Sequence, residues 1–242
     1  MNRLVWVSNR LAIRMTERDG ALEVGPSTGG LATALRALKT HMPARWIGWP
    51  GDVPAERTEE VRRVLGEHDA TPVFLDAAEV KGYYDGFSNS VLWPLLHGNF
   101  DKLPLDVEHT WQTFVAVSRR FAAECAVAAR AGETLWLHDF HLALVPSLVR
   151  EAVLEAPIGF FLHVPFPPAE VFTALPRWRE IVCGLLGADV VGFHTRGFLE
   201  CFRGVVERLG ARMRGDGGEF AGHRTELGVC PIGVDFDKID AA

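Results

Sequence analysis

Several side chains able to do chemistry stand where short apolar runs give way to polar sequence. Arg10 closes Val7-Ser8-Asn9-Arg10, and its permanent charge and planar fork of donors suit phosphate oxygens, although an arginine at a strand end also serves as plain surface charge. Asp139 and His163 follow Trp136-Leu137-His138 and Phe160-Phe161-Leu162. An aspartate in such a place can accept from a hydroxyl, and a histidine can bind one or steady developing charge, the plainer alternative being a satisfied structural residue. Trp49, Tyr84 and Trp93 offer flat faces suited to the C–H face of a sugar ring, or to packing beneath a loop. Gly29-Gly30 lets the backbone approach a ligand, and the N–H groups of a helix opening there favour phosphate or diphosphate, unless the pair only caps that helix. His138 and His141 read as structural, and their spacing lacks the further ligands of a metal site.

The elements that must carry these groups follow from the periodicity. Short apolar runs alternate with amphipathic stretches, which predicts an α/β fold of three layers around a mostly parallel sheet. Strands are expected at 4–8, 45–49, 72–75, 134–138, 158–163 and 189–193, with a late one near 225–230. Helices are expected at 31–40, at 54–65 with Pro54 near the first turn, and at 107–131, where Trp111, Phe114, Val115, Ser118, Phe121, Ala122 and Cys125 recur every three or four residues. Residues 11–30 and 212–224 read as loops, and 83–89 as a turn-like segment. Pro231 to Asp235 reads as a strand leading into a loop. No repeat or linker divides the chain, so one domain over 1–242 is expected.

In an open parallel sheet, ligands bind beyond the carboxyl ends of the strands, which is where Arg10, Trp49, Asp139 and His163 fall. Composition narrows the ligand. Net charge is -6 with no basic run beyond adjacent pairs, so nucleic acid is not expected as a partner. No G-x-G-x-x-G follows the first strand, which argues against a dinucleotide cofactor. The start lacks the apolar stretch of a signal peptide, and no uncharged segment approaches the roughly 20 residues that span a bilayer. A cytoplasmic protein is expected, with Cys125, Cys183, Cys201 and Cys230 as small buried hydrophobes.

The ordered motifs carry a more specific message. Val7-Ser8-Asn9-Arg10, Gly29-Gly30-Leu31-Ala32, Trp46-Ile47-Gly48-Trp49-Pro50-Gly51, Tyr83 to Asn89 with Leu92-Trp93-Pro94, Trp136 to Leu142, and Ile158 to Pro167 resemble the trehalose-6-phosphate synthase family of GT-B glycosyltransferases. Leu175-Pro176, Asp189 to Thr195 and Pro231-Ile232-Gly233-Val234 extend the resemblance along nearly the whole chain. It implies a Rossmann-like N-terminal, acceptor-side half, with the donor-binding C-terminal domain lying outside this chain. It further implies transfer of glucose, with retention, from UDP-glucose or another nucleotide-glucose to the anomeric hydroxyl of glucose 6-phosphate, without a required metal or other cofactor.

By the same resemblance, Arg10 holds the acceptor phosphate, Trp49, Tyr84 and Trp93 line the acceptor pocket, and Asp139 binds an acceptor hydroxyl. Gly30 sets its N–H against the donor diphosphate, and His163 contacts the transferred glucose near the reacting centre. Asp139 and His163 are thus the expected catalytic pair. Phe140, Phe114 and Ser118 replace residues common in the family. A second chain supplying the donor domain is an expected partner. Two other readings stand beside this one: a non-catalytic module that binds a sugar phosphate or regulates a synthase, and half of a glucosylglycerol-phosphate synthase or a related pseudo-glycosyltransferase.

Overall fold

The computed structural model describes residues 3–18, 21–26, 44–99 and 106–233. Apolar runs form the strands β1 (Leu4–Arg10), β2 (Ile13–Arg18), β3 (Ala21–Pro26), β4 (Ala44–Trp49), β5 (Ala70–Pro72), β6 (Thr134–His138), β7 (Ile158–Leu162), β8 (Val190–Phe193), β9 (Arg212–Arg214), β10 (Gly217–Phe220) and β11 (His223–Val229). Nine of them make one sheet in the order β5-β4-β1-β6-β7-β8-β11-β10-β9. Pairing is parallel from β5 across to β11, and antiparallel through β10 to β9. The expected α/β class with a mostly parallel sheet is what the chain adopts. Strands β2 and β3 form a separate hairpin.

The longer helices are α1 (Thr58–Gly66), a π-helix (Val80–Leu92), α2 (Glu108–Arg130), α3 (Val145–Ala152), α4 (Trp178–Leu185) and α5 (Arg196–Leu209). They cover both faces of the sheet. Along β1, Val5 and Val7 join the large core with Leu135, Leu137, Phe114 and Phe121, whereas Trp6 between them joins a second core with Trp46, Val61 and Leu65. Strict alternation on a strand is what sends neighbours to opposite faces. Among the described residues, no helix is long and apolar enough to cross a membrane.

Several expectations need correction. Residues 11–30 are no loop as far as they are described: Ile13, Met15 and Leu22 alternate with polar residues and pack on the second core, so the segment folds as the β2–β3 hairpin. Residues 212–224 likewise form β9, β10 and the start of β11, because Met213 and Phe220 reach the large core and Gly215 (φ 60°) and Gly222 (φ 81°) supply the left-handed turns. The strand expected at 72–75 lies at 70–72, and just past its end the Val73 N–H still donates to the Gly48 carbonyl of β4 (2.9 Å). Pro54 precedes a short 3-10 turn rather than entering an α-helix. Strand β11 ends at Val229, and Ile232 is exposed, so no strand begins at Pro231. Of the cysteines, only Cys125 is buried, and Cys230 is exposed. The helix expected at 31–40 lies outside the described residues.

The largest surprise is 83–89, which is helical. A capping box of Asp76 and Glu79 leads into the π-helix. Its two glycines allow a close approach to α2: a Cβ on Gly82 would come within 2.6 Å of Thr113 Oγ1, and one on Gly86 within 2.7 Å of Thr110 Cγ2. Arg120 of α2 clamps the start of the helix by bonding to Glu79 (2.6 Å) and to the Phe74 carbonyl (2.6 Å).

Candidate active site

Because the central strands are parallel and adjacent, their carboxyl ends place one group after another along a single edge of the sheet. In spatial order, β4 ends in Trp49, β1 in Arg10, β6 in His138 followed by Asp139, β7 in Leu162 followed by His163, and β8 in Phe193 followed by His194.

Arg10 is aimed by a bulge. Pairing of β1 with β4 runs from Val7 opposite Ile47 to Arg10 opposite Trp49, leaving one extra residue on β1. Gly48 permits the bulge, since a Cβ there would lie 2.8 Å from the Ser8 carbonyl oxygen and 3.1 Å from the Arg10 carbonyl carbon. Trp46 Nε1–H donates to Ser8 Oγ (2.6 Å), which donates to the Arg10 carbonyl (2.6 Å) and fixes the turn. The Arg10 guanidinium then lies 4.2 Å from the Trp49 ring centroid and 5.4 Å from that of Tyr84. The two rings are 6.0 Å apart. No carboxylate among the described residues forms an ion pair with Arg10, so an exposed cation rests on two aromatic faces, ready for an anion.

Tyr84 comes from the π-helix, and the winding matters. Residues nine apart on an α-helix of 3.6 residues per turn face opposite ways. Hydrogen bonding from i to i+5, as from Trp93 N–H to the Ser88 carbonyl, widens the turn and brings Tyr84 and Trp93 toward one side. The far face of Tyr84 stacks on His141 (5.6 Å, 14° between planes). Trp93 itself is 41% exposed and stacks on His97 at 4.1 Å, without ring contact to the Trp49–Tyr84 pair.

Asp139 is the strained residue of the edge. Its backbone has φ 75° and ψ 164°, a region nearly reserved for glycine, and such strain persists where the surroundings enforce it. The Asp139 N–H donates to the Phe161 carbonyl (2.8 Å), and its Oδ1 accepts from the His163 N–H (3.2 Å), which ties the ends of β6 and β7 together. Burial raises its carboxyl to about 6 against the pull of backbone N–H groups from Phe140 and His163. His163 packs against Phe161 (4.7 Å) and His194 (5.7 Å), and its Nε2 lies 3.0 Å from His138 Nδ1. Burial lowers the three imidazoles, His138 and His141 to about 3 and His163 to about 4, so all are neutral near pH 7.

The structure therefore brings Arg10, Trp49 and Tyr84 into one cluster, and Asp139 and His163 into another. The loop Asp139-Phe140-His141 joins them. Gly30 lies outside the described residues. His138 and His141, read from sequence as structural, are in ring or hydrogen-bond contact with site candidates. Each also keeps a buried Nε2 without a hydrogen-bond partner among the described residues, a signal that only coordinates reveal. Among the described residues, no group of three or more His, Cys, Asp or Glu is placed to hold a metal. A cavity of about 580 Å³ between the β2–β3 hairpin and residues 52–55 and 75–77 contains none of these candidates.

Comparison with known proteins identifies the family. The family model for glycosyltransferase family 20 matches residues 2–242. The chain is 43% identical to the bifunctional trehalose-6-phosphate synthase/phosphatase of Thermoproteus tenax, over 98% of this chain and 33% of that protein. Its structure resembles a UDP-forming α,α-trehalose-phosphate synthase from Burkholderia xenovorans in complex with glucose-6-phosphate, with TM-score 0.79 and 30% identity over 98% of this chain and 51% of the other. It also resembles the trehalose-6-phosphate phosphatase N-terminal domain of Candida albicans, with TM-score 0.82 and 26% identity over 99% of this chain and 50% of the other. The chain thus spans a third to a half of the length of these relatives.

Proposed function

The chain belongs to glycosyltransferase family 20, and we propose that it forms the acceptor-side half of a retaining trehalose-6-phosphate synthase, one Rossmann-like domain over 1–242. The observation that carries this reading is the exposed Arg10 guanidinium laid over Trp49 and Tyr84 at the sheet edge. A phosphate on Arg10 puts the attached sugar over aromatic faces, with Asp139 next along the edge to accept from a sugar hydroxyl. His163, one strand further, meets the glucose of UDP-glucose or another nucleotide-glucose at the reacting centre. Trp93 and the Gly30 N–H complete the acceptor and donor sides of this proposal. Stabilising the departing diphosphate is the largest catalytic demand, and it falls on a donor-binding domain supplied by further polypeptide. A cytoplasmic setting goes with this reading.

Calorimetric titration of the chain with glucose 6-phosphate tests it. Binding that weakens at least about tenfold in Arg10→Ala, the loss expected of one charge-assisted contact, supports the assignment. Equal binding by the variant overturns it. Tighter binding of glycerol 3-phosphate than of glucose 6-phosphate would move the chain to the glucosylglycerol-phosphate reading. The likeness to a domain from a protein named as a phosphatase favours a second reading, a module that binds sugar phosphate without turnover. Glucosyl transfer after addition of a donor-binding domain separates the two.

A further inference from the structure

The histidines at the ends of β6 and β7 stand in a relation that the proposed reaction does not use. His138 is 1% exposed, and its Nδ1 lies 3.0 Å from His163 Nε2. Its other nitrogen, Nε2, is buried without a hydrogen-bond partner among the described residues, and the centroids of the His138 and Trp136 rings are 4.9 Å apart. With both imidazoles neutral near pH 7, one proton lies between the two rings, and it belongs to one or the other. If His163 donated from Nε2, His138 would carry its proton on Nε2 and bury an N–H with no acceptor. If His138 donates from Nδ1, the buried orphan is a bare acceptor nitrogen. Unpaired buried N–H groups are the rarer of the two.

We infer that His138 is a positioning residue that donates from Nδ1 to His163 Nε2, and so fixes the His163 ring in the tautomer with its proton on Nδ1. His163 then offers a hydrogen-bond donor at the β7 end of the edge, suited to an oxygen lone pair of a sugar or phosphate and unable to take a hydroxyl proton there. The identity of that oxygen rests on the functional reading above. The tautomer does not, because it belongs to the ligand-free chain. Phe161 and His194 pack against the His163 ring at steep angles (60° and 65° between planes), and Asp139 Oδ1 accepts from its backbone N–H, so side chain and main chain are both held.

Histidine-selective ¹⁵N labelling and two-bond ¹H–¹⁵N correlation spectra of the ligand-free chain at pH 7.5 read the tautomer directly, with single histidine substitutions assigning the signals. The expected result is the Nδ1–H form for both His138 and His163. His138→Asn, which keeps an amide donor near the Nδ1 position, should leave His163 in that form. His138→Leu should shift His163 toward the Nε2–H form. A wild-type His163 in the Nε2–H form overturns the inference, as does a His163 tautomer unmoved by His138→Leu. Should the leucine variant not fold, the wild-type spectrum and the asparagine variant decide. Since no ligand is present, failure here is distinguishable from failure of glucose 6-phosphate binding.

Discussion

The two ends of the parallel sheet are built by opposite rules. At the amino-terminal end of β7 and β8, Arg150 donates to the carbonyls of Gly187 (3.1 Å), Leu154 (2.6 Å) and Ala156 (2.8 Å) and to Asp189 Oδ1 (2.8 Å). The second oxygen of Asp189 accepts from the Ile158 N–H (2.7 Å), so each charge is matched. At the carboxyl end, Asn9 Oδ1, Trp49 Nε1, His138 Nε2 and His141 Nε2 are buried without hydrogen-bond partners, Arg10 has no counter-ion among the described residues, and Asp139 is strained. Buried polar groups are normally satisfied, and four of the seven exceptions among the described residues gather at this one end, the others being Trp6 Nε1, Arg45 Nε and Ser88 Oγ. One end is a clamp and the other is the proposed site.

The sharpest way to break this contrast is at the clamp. Arg150→Ala should cost about 3 kcal/mol, because three carbonyls and a carboxylate lose one shared donor. Urea unfolding at pH 7.5 measures it, and a loss below about 1 kcal/mol would mean the clamp is ornamental.

The next effect comes from the site end through pH. His138, His141 and His163 have folded values of about 3, 3 and 4 against an ordinary 6.5, so below pH 6.5 the unfolded chain takes up more protons and stability is lost as pH falls. Asp139 acts in the other direction between 3.8 and about 6, where the folded chain holds the extra proton. Three groups against one leave about two protons net, or about 2.7 kcal/mol per pH unit between pH 6 and 5. Chemical denaturation across that range should show stability falling toward acid, and a flat profile would contradict neutral buried imidazoles.

The smallest effect should have the opposite sign from the first. Asp139→Asn keeps an oxygen to accept from the His163 N–H and leaves side-chain size and backbone strain unchanged, while removing a charge that burial disfavours. At pH 7.5 it should stabilise the chain by about 1 kcal/mol while weakening binding of glucose 6-phosphate, readable in the same urea and calorimetric experiments. Destabilisation together with unchanged binding would place Asp139 on the structural side of the comparison.

Where the sequence was readable, its periodicity mapped directly onto burial. The central strands and the long helix at 108–130 are apolar on faces that are in fact covered, and their expected bounds differ from the observed ones by a residue or two. The candidate groups Arg10, Trp49, Asp139 and His163 followed from strand ends alone, since a parallel sheet fixes which end faces ligand. Short strands with mixed composition were not readable. Around Asp19-Gly20, polar residues masked the alternation of Ile13, Met15 and Leu22, even though Asp-Gly is a strong hairpin signal. The π-helix was missed because its helical state depends on two glycines meeting Thr110 and Thr113 of a distant segment, which no local pattern encodes. His138 and His141 were legible as structural residues, but not as rings that touch the candidate site, because that contact crosses strands and helices far apart in sequence.

The order of the strands also acts as a ruler. Neighbouring strands stand about 4.8 Å apart, so the two steps from Arg10 on β1 through β6 to His163 after β7 mark off roughly 10 Å. Under the proposed reading, that interval has to hold one sugar ring together with its phosphate arm. A hydrogen-bonded ladder is among the stiffest lengths a protein can set, and here it would gauge substrate size before any side chain selects by chemistry.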